Sequence, residues 1–346
     1  MTDELELLDG TLRAIFAKHC DRSARLAAGR GFPRELWTVL ERAGLTTLGG
    51  DGAGPAELVV LARAVGRAAA PVPLVETAGL AAWLVAEAGV EQPDGITTCA
   101  VGHPDDDLRV VRDGDGWTAT GTLHRVPWGR DGDHVVALVD GGTLVVLPTP
   151  QRVRPGANLG GEPRDALEFD GAAASAVADS PIGTDALRAR GAVLRAAAMA
   201  GAMESALELS LAYAGEREQF GKPISSFQAV QQHLVAIAEE TLCAGMAVRL
   251  AVAAAPEQEV FAVAAAKNTA GCAAAVVTKR AHQVHGAIGV TDEHALPWFT
   301  TRLWAWQDEF GTTREWAALL GRGVVADGGA GLWPRLSASV GAGEDR

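Results

Sequence analysis

Cysteine is scarce and scattered: Cys20, Cys99, Cys243 and Cys272 form no CxxC or CxxH pair, so the sequence implies neither a zinc site nor a disulfide framework. Positive charge is also short, with 30 Lys and Arg against 43 Asp and Glu and a formal net charge of −13. A chain this acidic, without a basic run, is unsuited to gripping phosphate backbones or anionic lipid, so no nucleic-acid or membrane partner is expected. No window of eighteen apolar residues escapes a charged or polar interruption, so no transmembrane helix is expected. The opening MTDELELLDG lacks the basic start of a targeting peptide, which predicts a cytoplasmic protein. What the chain does have is 48% hydrophobic and 21% charged residues over 346 positions, a globular composition long enough for two or three domains.

Texture divides the chain into an N-terminal helical domain (1–93), a central β-domain (94–180), a C-terminal helical bundle (181–325) and a flexible tail (326–346). Leu12, Ile15 and Phe16 recur at helical spacing, as do Leu36, Val39, Leu40 and Leu45. An apolar run over 58–70 is stopped by Pro71 and Pro73, and a further helix is expected over 77–88. Asp113-Gly114-Asp115-Gly116 reads as a tight turn between strands, and Asp140-Gly141-Gly142 as the turn of a hairpin joining 134–139 to 143–147. Short strands at this spacing suit a small barrel or sandwich. From residue 182 the sequence is Ala-rich, with helices expected over 192–215, 227–255, 257–286 and 297–320. The fold class is α+β, mostly α.

The common catalytic signatures are missing: there is no GxxxxGK[ST], GxSxG, HExxH, or GxGxxG between strand and helix. His282 and His285 share a helix face near Asp292, Glu293 and His294, but no cysteine or second spaced pair completes a metal shell, so no metal is expected. Two other segments draw notice. In Arg217-Glu218-Gln219-Phe220-Gly221-Lys222-Pro223-Ile224, followed by Phe227-Gln228-Ala229, an arginine at a helix end can turn its fork to a phosphate beside free backbone N–H groups. The plainer reading is a helix cap with a solvated charge. In Gln283-Val284-His285-Gly286-Ala287-Ile288-Gly289-Val290-Thr291, small residues allow close backbone approach to a ligand, or simply a turn between helices.

Taken together, REQFGKPISSFQAVQ and QVHGAIGVTDEHAL closely resemble the acyl-CoA dehydrogenase family of flavoproteins, and LWTVLERAGL with GRAAAPVPLVET is similar to its short bacterial, actinobacterial-type branch. The resemblance covers most of residues 30–322. It implies N-terminal helices, a small β-domain, a C-terminal four-helix bundle, and FAD between the last two. Arg217 and Gln283 would reach the cofactor of a neighbouring chain, with Gln219, Phe220, Gln228 and Gly286 as further contacts. Ala287 stands where the family usually has glycine, and Thr312, after Gly311, matches a threonine near the cofactor of its own subunit. Cys99-Ala100-Val101-Gly102-His103-Pro104 replaces a Leu-Thr-Glu-Pro-like flavin contact, while the segment from Gly121 to Trp128 resembles a second one. The implied substrate is an acyl-CoA or acyl-carrier thioester, and the implied acceptor an electron-transfer flavoprotein.

The family's reaction needs a carboxylate to remove the α-proton of the thioester. At one family position, before a Gly-Thr pair, this chain has Phe310, with Asp308 and Glu309 adjacent. At the other, counting back from Arg217, it has Gly191, with Arg188 and Arg190 close by and Glu204 more than three turns on. No catalytic residue is therefore assigned. Four readings follow: a dehydrogenase with an unusual base such as Glu309 or Asp308; a non-catalytic subunit sharing FAD with a paralogous family chain; a flavin-dependent oxidase or oxygenase; and a scaffold with a decayed site. In each of the first two the chain is an oligomer, with itself or with a paralogue.

Overall fold

The structure, a computed structural model, describes residues 3–21, 31–140, 142–254 and 259–328, with 330, 331, 333 and 334. Most of the tail expected to be flexible lies outside the described residues. The chain divides into two compact units, 1–61 with 70–191, and 62–69 with 192–346.

The first unit opens with α1 (Asp3–His19) and α2 (Arg34–Arg42), which bury the expected Leu12, Phe16, Leu36 and Leu40. Helix α3 (Pro55–Ala68) starts on a proline, whose missing N–H costs nothing at a first helical position, and its first half belongs to this unit. The helix expected over 77–88 differs from what the chain forms. Val75–Ala81 winds as a π-helix and only Ala82–Glu87 as α4. The cause lies in its neighbours: Arg190 Nε donates to Gly79 O at 2.8 Å, and Gly49 packs so close that a Cβ there would stand 2.0 Å from Ala78 O. Arg190 thus takes the Gly79 carbonyl, which an α-helix would keep for itself, and Gly49 leaves room for the wider turn at Ala78; π-helical turns arise at such sites.

Eight strands follow: β1 (Thr97–Cys99), β2 (Arg109–Asp113), β3 (Gly116–Pro127), β4 (His134–Val139), β5 (Thr143–Pro148), β6 (Arg152–Arg154), β7 (Arg164–Ala173) and β8 (Ala176–Asp179). They form two four-stranded sheets, ordered β1-β4-β5-β8 and β2-β3-β7-β6, in which β1 and β4 are parallel and the other pairs antiparallel. The β4–β5 hairpin has the expected register, Val139 facing Thr143. Leu123, Val126 and Phe169 of one sheet share a core with Val135, Val145 and Leu147 of the other, the sandwich arrangement of two alternating apolar faces.

The second unit contains the long helix α5 from Ala192 onward (Thr184–Glu216 in full), α6 (Gln228–Ala253), α7 (Glu259–His285), α8 (Leu296–Trp306) and α9 (Thr313–Asp327). A single helix was expected over 297–320. Instead Phe310 and Gly311 take left-handed conformations (φ +57° and +99°), and Thr312 caps a new helix. Among the described residues one stretch, Glu259–Val290, is long and apolar enough to cross a membrane by length and composition alone; half of its most apolar window is buried, and α7 packs against α6, α8 and α9, as core helices of water-soluble folds also do.

Within this unit the 62–69 turn of α3 meets α5 through two glycines. A Cβ on Gly66 would fall 1.8 Å from Ala198 O, and one on Gly201 would fall 2.0 Å from Arg63 O. The close approach lets Arg63 and Arg67 clasp Glu204 at 2.7 and 3.0 Å, and Ser205 Oγ donate to Arg67 O at 2.7 Å. Glu204 is thus a structural partner of two arginines. Replacing Gly201 by Ala sets a helix-propensity gain of about 0.5–1 kcal/mol against an overpacking cost of about 1–3 kcal/mol. We expect net destabilisation in a urea melt; an unchanged or raised midpoint would contradict this packing.

Candidate functional site

The Arg217 segment begins where α5 ends. Arg217 N still donates to Tyr213 O at 2.9 Å, and then the chain turns back as a two-stranded ribbon, β9 (Glu218–Gln219) and β10 (Lys222–Pro223). Its two central residues, Phe220 and Gly221, have φ of +53° and +75°, the pair of positive angles that a two-residue hairpin requires. Glycine takes this angle freely, whereas phenylalanine is strained there. Phe220 is also 91% exposed, touching Phe227 edge-on at 6.1 Å. Arg217, Gln219 and Gln228 are exposed as well, and among the described residues Arg217 makes no ion pair. A strained, exposed aromatic beside an unengaged guanidinium is an arrangement turned outward from its own subunit.

The Gln283 segment closes α7. Gln283 is exposed on its last turn, and a 3-10 turn (Gly286–Val290) follows, opened by Gly286 at φ +63° with open space where a Cβ would stand. Ala287 is exposed on the same turn. Both segments rest on one small apolar cluster, in which Ala214, Leu234 and Val284 are joined by Tyr213, Ile224 and Val230. Tyr213 also stacks on His285, ring centroids 4.8 Å apart. The two motifs noticed separately in the sequence therefore share one foundation. An exposed guanidinium fork, an exposed amide and a glycine turn free of Cβ form a donor set that suits a dinucleotide pyrophosphate.

Beneath this turn His282, His285 and His294 gather, His285 and His294 at 4.6 Å between centroids. Burial, the largest cause for each, lowers all three below the ordinary histidine value; His285 adds repulsion at the other two. The trio is thus a neutral packing unit, and among the described residues it gathers no carboxylate to complete the half metal site considered from sequence.

Thr312 stands on a different loop. Its Oγ1 accepts from Glu315 N at 3.2 Å while its backbone N–H donates to Glu315 Oε2 at 2.7 Å, a reciprocal capping box that starts α9. The loop before it, 307–312, occupies the place where the sequence lacks a base, and it is held on every side. Lys267, on α7 and wholly buried, donates from Nζ to Trp306 O (3.1 Å), Gln307 O (2.8 Å) and Gly311 O (3.2 Å). Trp316 Nε1 donates to Phe310 O at 3.1 Å. Arg195, 2% exposed on α5, pairs with Glu309 at 3.0 Å and lies 5.2 and 5.6 Å from the ring centres of Trp306 and Phe310. Phe310 itself is buried, and so is the backbone at Gly191. Sequence reasoning missed Lys267 and Arg195; the available signal was a lone charge inside an Ala-rich apolar run.

In the first unit, Trp128 is buried and packs edge-on against Phe32 at 6.1 Å, which gives it a core role. Cys99 is fully buried, with its thiol pushed far up by burial and then by the Glu76 carboxylate, so it stays an unreactive thiol.

Two outcomes follow. Replacing Lys267 by Met keeps the stem but strands three carbonyls, at about 1–3 kcal/mol for each group left unsatisfied; the urea midpoint, followed by tryptophan emission, should fall strongly, and an unchanged midpoint would contradict the clamp. The buried histidines are harder to protonate folded than unfolded, so their contribution is intact above about pH 6.5 and is lost as pH falls towards their lowered values. His285→Phe, which retains the stack on Tyr213, should flatten the acid-side stability slope by up to about 1.4 kcal/mol per pH unit. An identical slope would remove His285 from the account.

Comparison with known proteins bears on family and fold. Residues 188–313 match the family model described as acyl-CoA dehydrogenase, C-terminal domain. The chain is 30% identical over 311 residues to acyl-CoA dehydrogenase IpdE2 of Mycobacterium tuberculosis, covering 85% of this chain and 89% of that one. It is 28% identical over 328 residues to IpdE2 of Mycolicibacterium smegmatis, covering 91% and 97%. Its backbone superposes on a chain of the ChsE4-ChsE5 complex from Mycobacterium tuberculosis with a TM-score of 0.83 at 27% identity, covering 94% of this chain and 98% of that one. The chain belongs to the acyl-CoA dehydrogenase family, the FAD-dependent oxidoreductases that act on CH–CH groups of acyl-CoA thioesters.

Proposed function

We propose that this chain is the half of a two-chain acyl-CoA dehydrogenase that contributes FAD-holding surface and leaves proton removal to a paralogous partner carrying the carboxylate. The observation that carries this reading is the 307–312 loop: an apolar Phe310 fills the base position and the neighbouring Glu309 is tied to the buried Arg195. A carboxylate engaged by a buried guanidinium is poorly placed to swing to a substrate and take its proton. Two further observations support it. A family member similar over nearly its whole length was crystallised as a complex of two different chains. And α6 leaves Val235, Leu242, Met246 and Leu250 uncovered at 37–73% exposure, within about 80° of one another around the helix. An apolar stripe of that kind calls for a second chain.

In this reading Arg217 binds phosphate oxygens through its fork, Gln283 offers its amide, and the Gly286 turn gives its backbone to the cofactor without a Cβ in the way. Gln219, Phe220 and Gln228 pack along the dinucleotide, and the Phe220 strain is offset by the contact it makes in the assembled protein. Thr312 acts through the backbone geometry its capping box fixes. FAD held by Arg217, Gln283 and the Gly286 turn would supply the acceptor for the hydride leaving Cβ of the thioester. The onward acceptor would be an electron-transfer flavoprotein.

The test is to purify the chain alone and together with a paralogous family chain that has a glutamate at either base position, then add acyl-CoA substrates without oxygen. Flavin bleaching only in the pair supports the proposal; rapid bleaching by the chain alone overturns it. In the assembled protein Arg217→Ala should lower FAD affinity by at least about tenfold, as loss of a charged hydrogen bond worth about 1.5–3 kcal/mol requires. Unchanged flavin per chain, read from visible absorbance, would remove Arg217 from the site.

A further inference from the structure

A second cluster of chemically able side chains lies in the β-sandwich, on the two segments whose family counterparts contact the flavin by backbone and hydroxyl groups, and no role above rests on these side chains. One ring nitrogen each of His103 and His124 and a carboxylate oxygen of Asp106 lie within 4.8 Å of one another. The first and last sit on the loop after β1 and His124 on β3, and all three are half-buried. Asp106 is fixed before any ligand arrives. Its Oδ2 accepts from His103 N at 2.7 Å and its Oδ1 from His124 N at 2.6 Å, which leaves lone pairs on both oxygens. His124 Nδ1 stands 3.3 Å from Asp106 Oδ1. That is long for a histidine–carboxylate hydrogen bond, but two ligands on one tetrahedral zinc ion, at about 2.0–2.1 Å from it, lie about 3.3 Å apart. The two imidazoles have ring centroids 5.7 Å apart and are tilted by 37°, so they do not stack face to face. Asp105 Oδ2, 3.6 Å from His103 Nδ1, adds a further carboxylate at the rim.

We propose that His103, Asp106 and His124 bind a divalent transition-metal ion of the Zn(II) class, which staples the loop after β1 to strand β3. Two imidazoles and one carboxylate match that ion's preference for nitrogen and oxygen ligands and leave a position for water or Asp105. The separation of 18 residues between Asp106 and His124 hides the set from any motif search, because only the pairing of β3 beside the loop assembles it.

The test uses untagged, flavin-loaded protein stripped with a chelator. Zn(II) is titrated by calorimetry and Co(II) by its visible d–d absorption. The proposal expects one ion per chain, affinity weakened at least about tenfold in His103→Ala and His124→Ala, and no change in His19→Ala. A rise in melting temperature with Zn(II) should disappear in His103→Ala. His103 lies on a loop, so that variant decides the matter if His124→Ala fails to fold. Absence of saturable binding, or equal binding in wild type and His103→Ala, would overturn the site and leave the cluster as a hydrogen-bonded clamp only.

Discussion

The charge of Lys267 has no exposed surface, and three backbone carbonyls of the loop after α8 are its hydrogen-bond acceptors. Burying an ammonium without such partners would cost several kcal/mol, so the loop and the lysine determine each other. Once Trp306, Gln307 and Gly311 are fixed, Glu309 faces Arg195, Phe310 is buried, and Thr312 stands ready to cap α9. Asn268, one residue on, donates to Thr313 O at 3.0 Å and extends the same hold into the helix. The place where a base is sought is therefore held by a buried lysine, a buried arginine and an indole N–H.

The opposite balance holds at the segments proposed to face the dinucleotide. Arg217, Gln219, Phe220, Gln228 and Gln283 are all exposed, and what is rigid lies beneath them: the cluster of Ala214, Leu234 and Val284, with Tyr213 stacked on a neutral His285. A rigid foundation carrying exposed donors is preorganised for a ligand completed by another chain. The positive φ of Phe220 belongs to the same logic, since strain at a hairpin tip persists when a partner contact rewards it.

Much of the fold was legible because its signals are local. Asp140-Gly141-Gly142 marked the β4–β5 hairpin, Pro71 and Pro73 marked the end of α3, and the Ala-rich runs marked the bundle. The motifs of the proposed site were legible as family patterns around Arg217 and Gln283. What escaped notice depends on contacts between distant residues. The π-helix at Val75–Ala81 is made by Arg190 and Gly49, the break at Phe310 by Lys267 and Thr312, and the His103–Asp106–His124 cluster by strand pairing. The missing carboxylate at Phe310 was readable from sequence; that Glu309 is already engaged by Arg195 required the packing of α5 against the loop.

The central claim is that the 307–312 loop is a clamp and carries no base. Its most direct measurement is the turnover of Glu309→Gln in the assembled enzyme at matched flavin loading. The clamp account predicts kcat within about twofold of wild type and a lower melting temperature, because the Arg195 pair is weakened while proton removal is untouched. A fall in kcat of about 100-fold or more with flavin and fold intact, the size expected for loss of a general base, would contradict it.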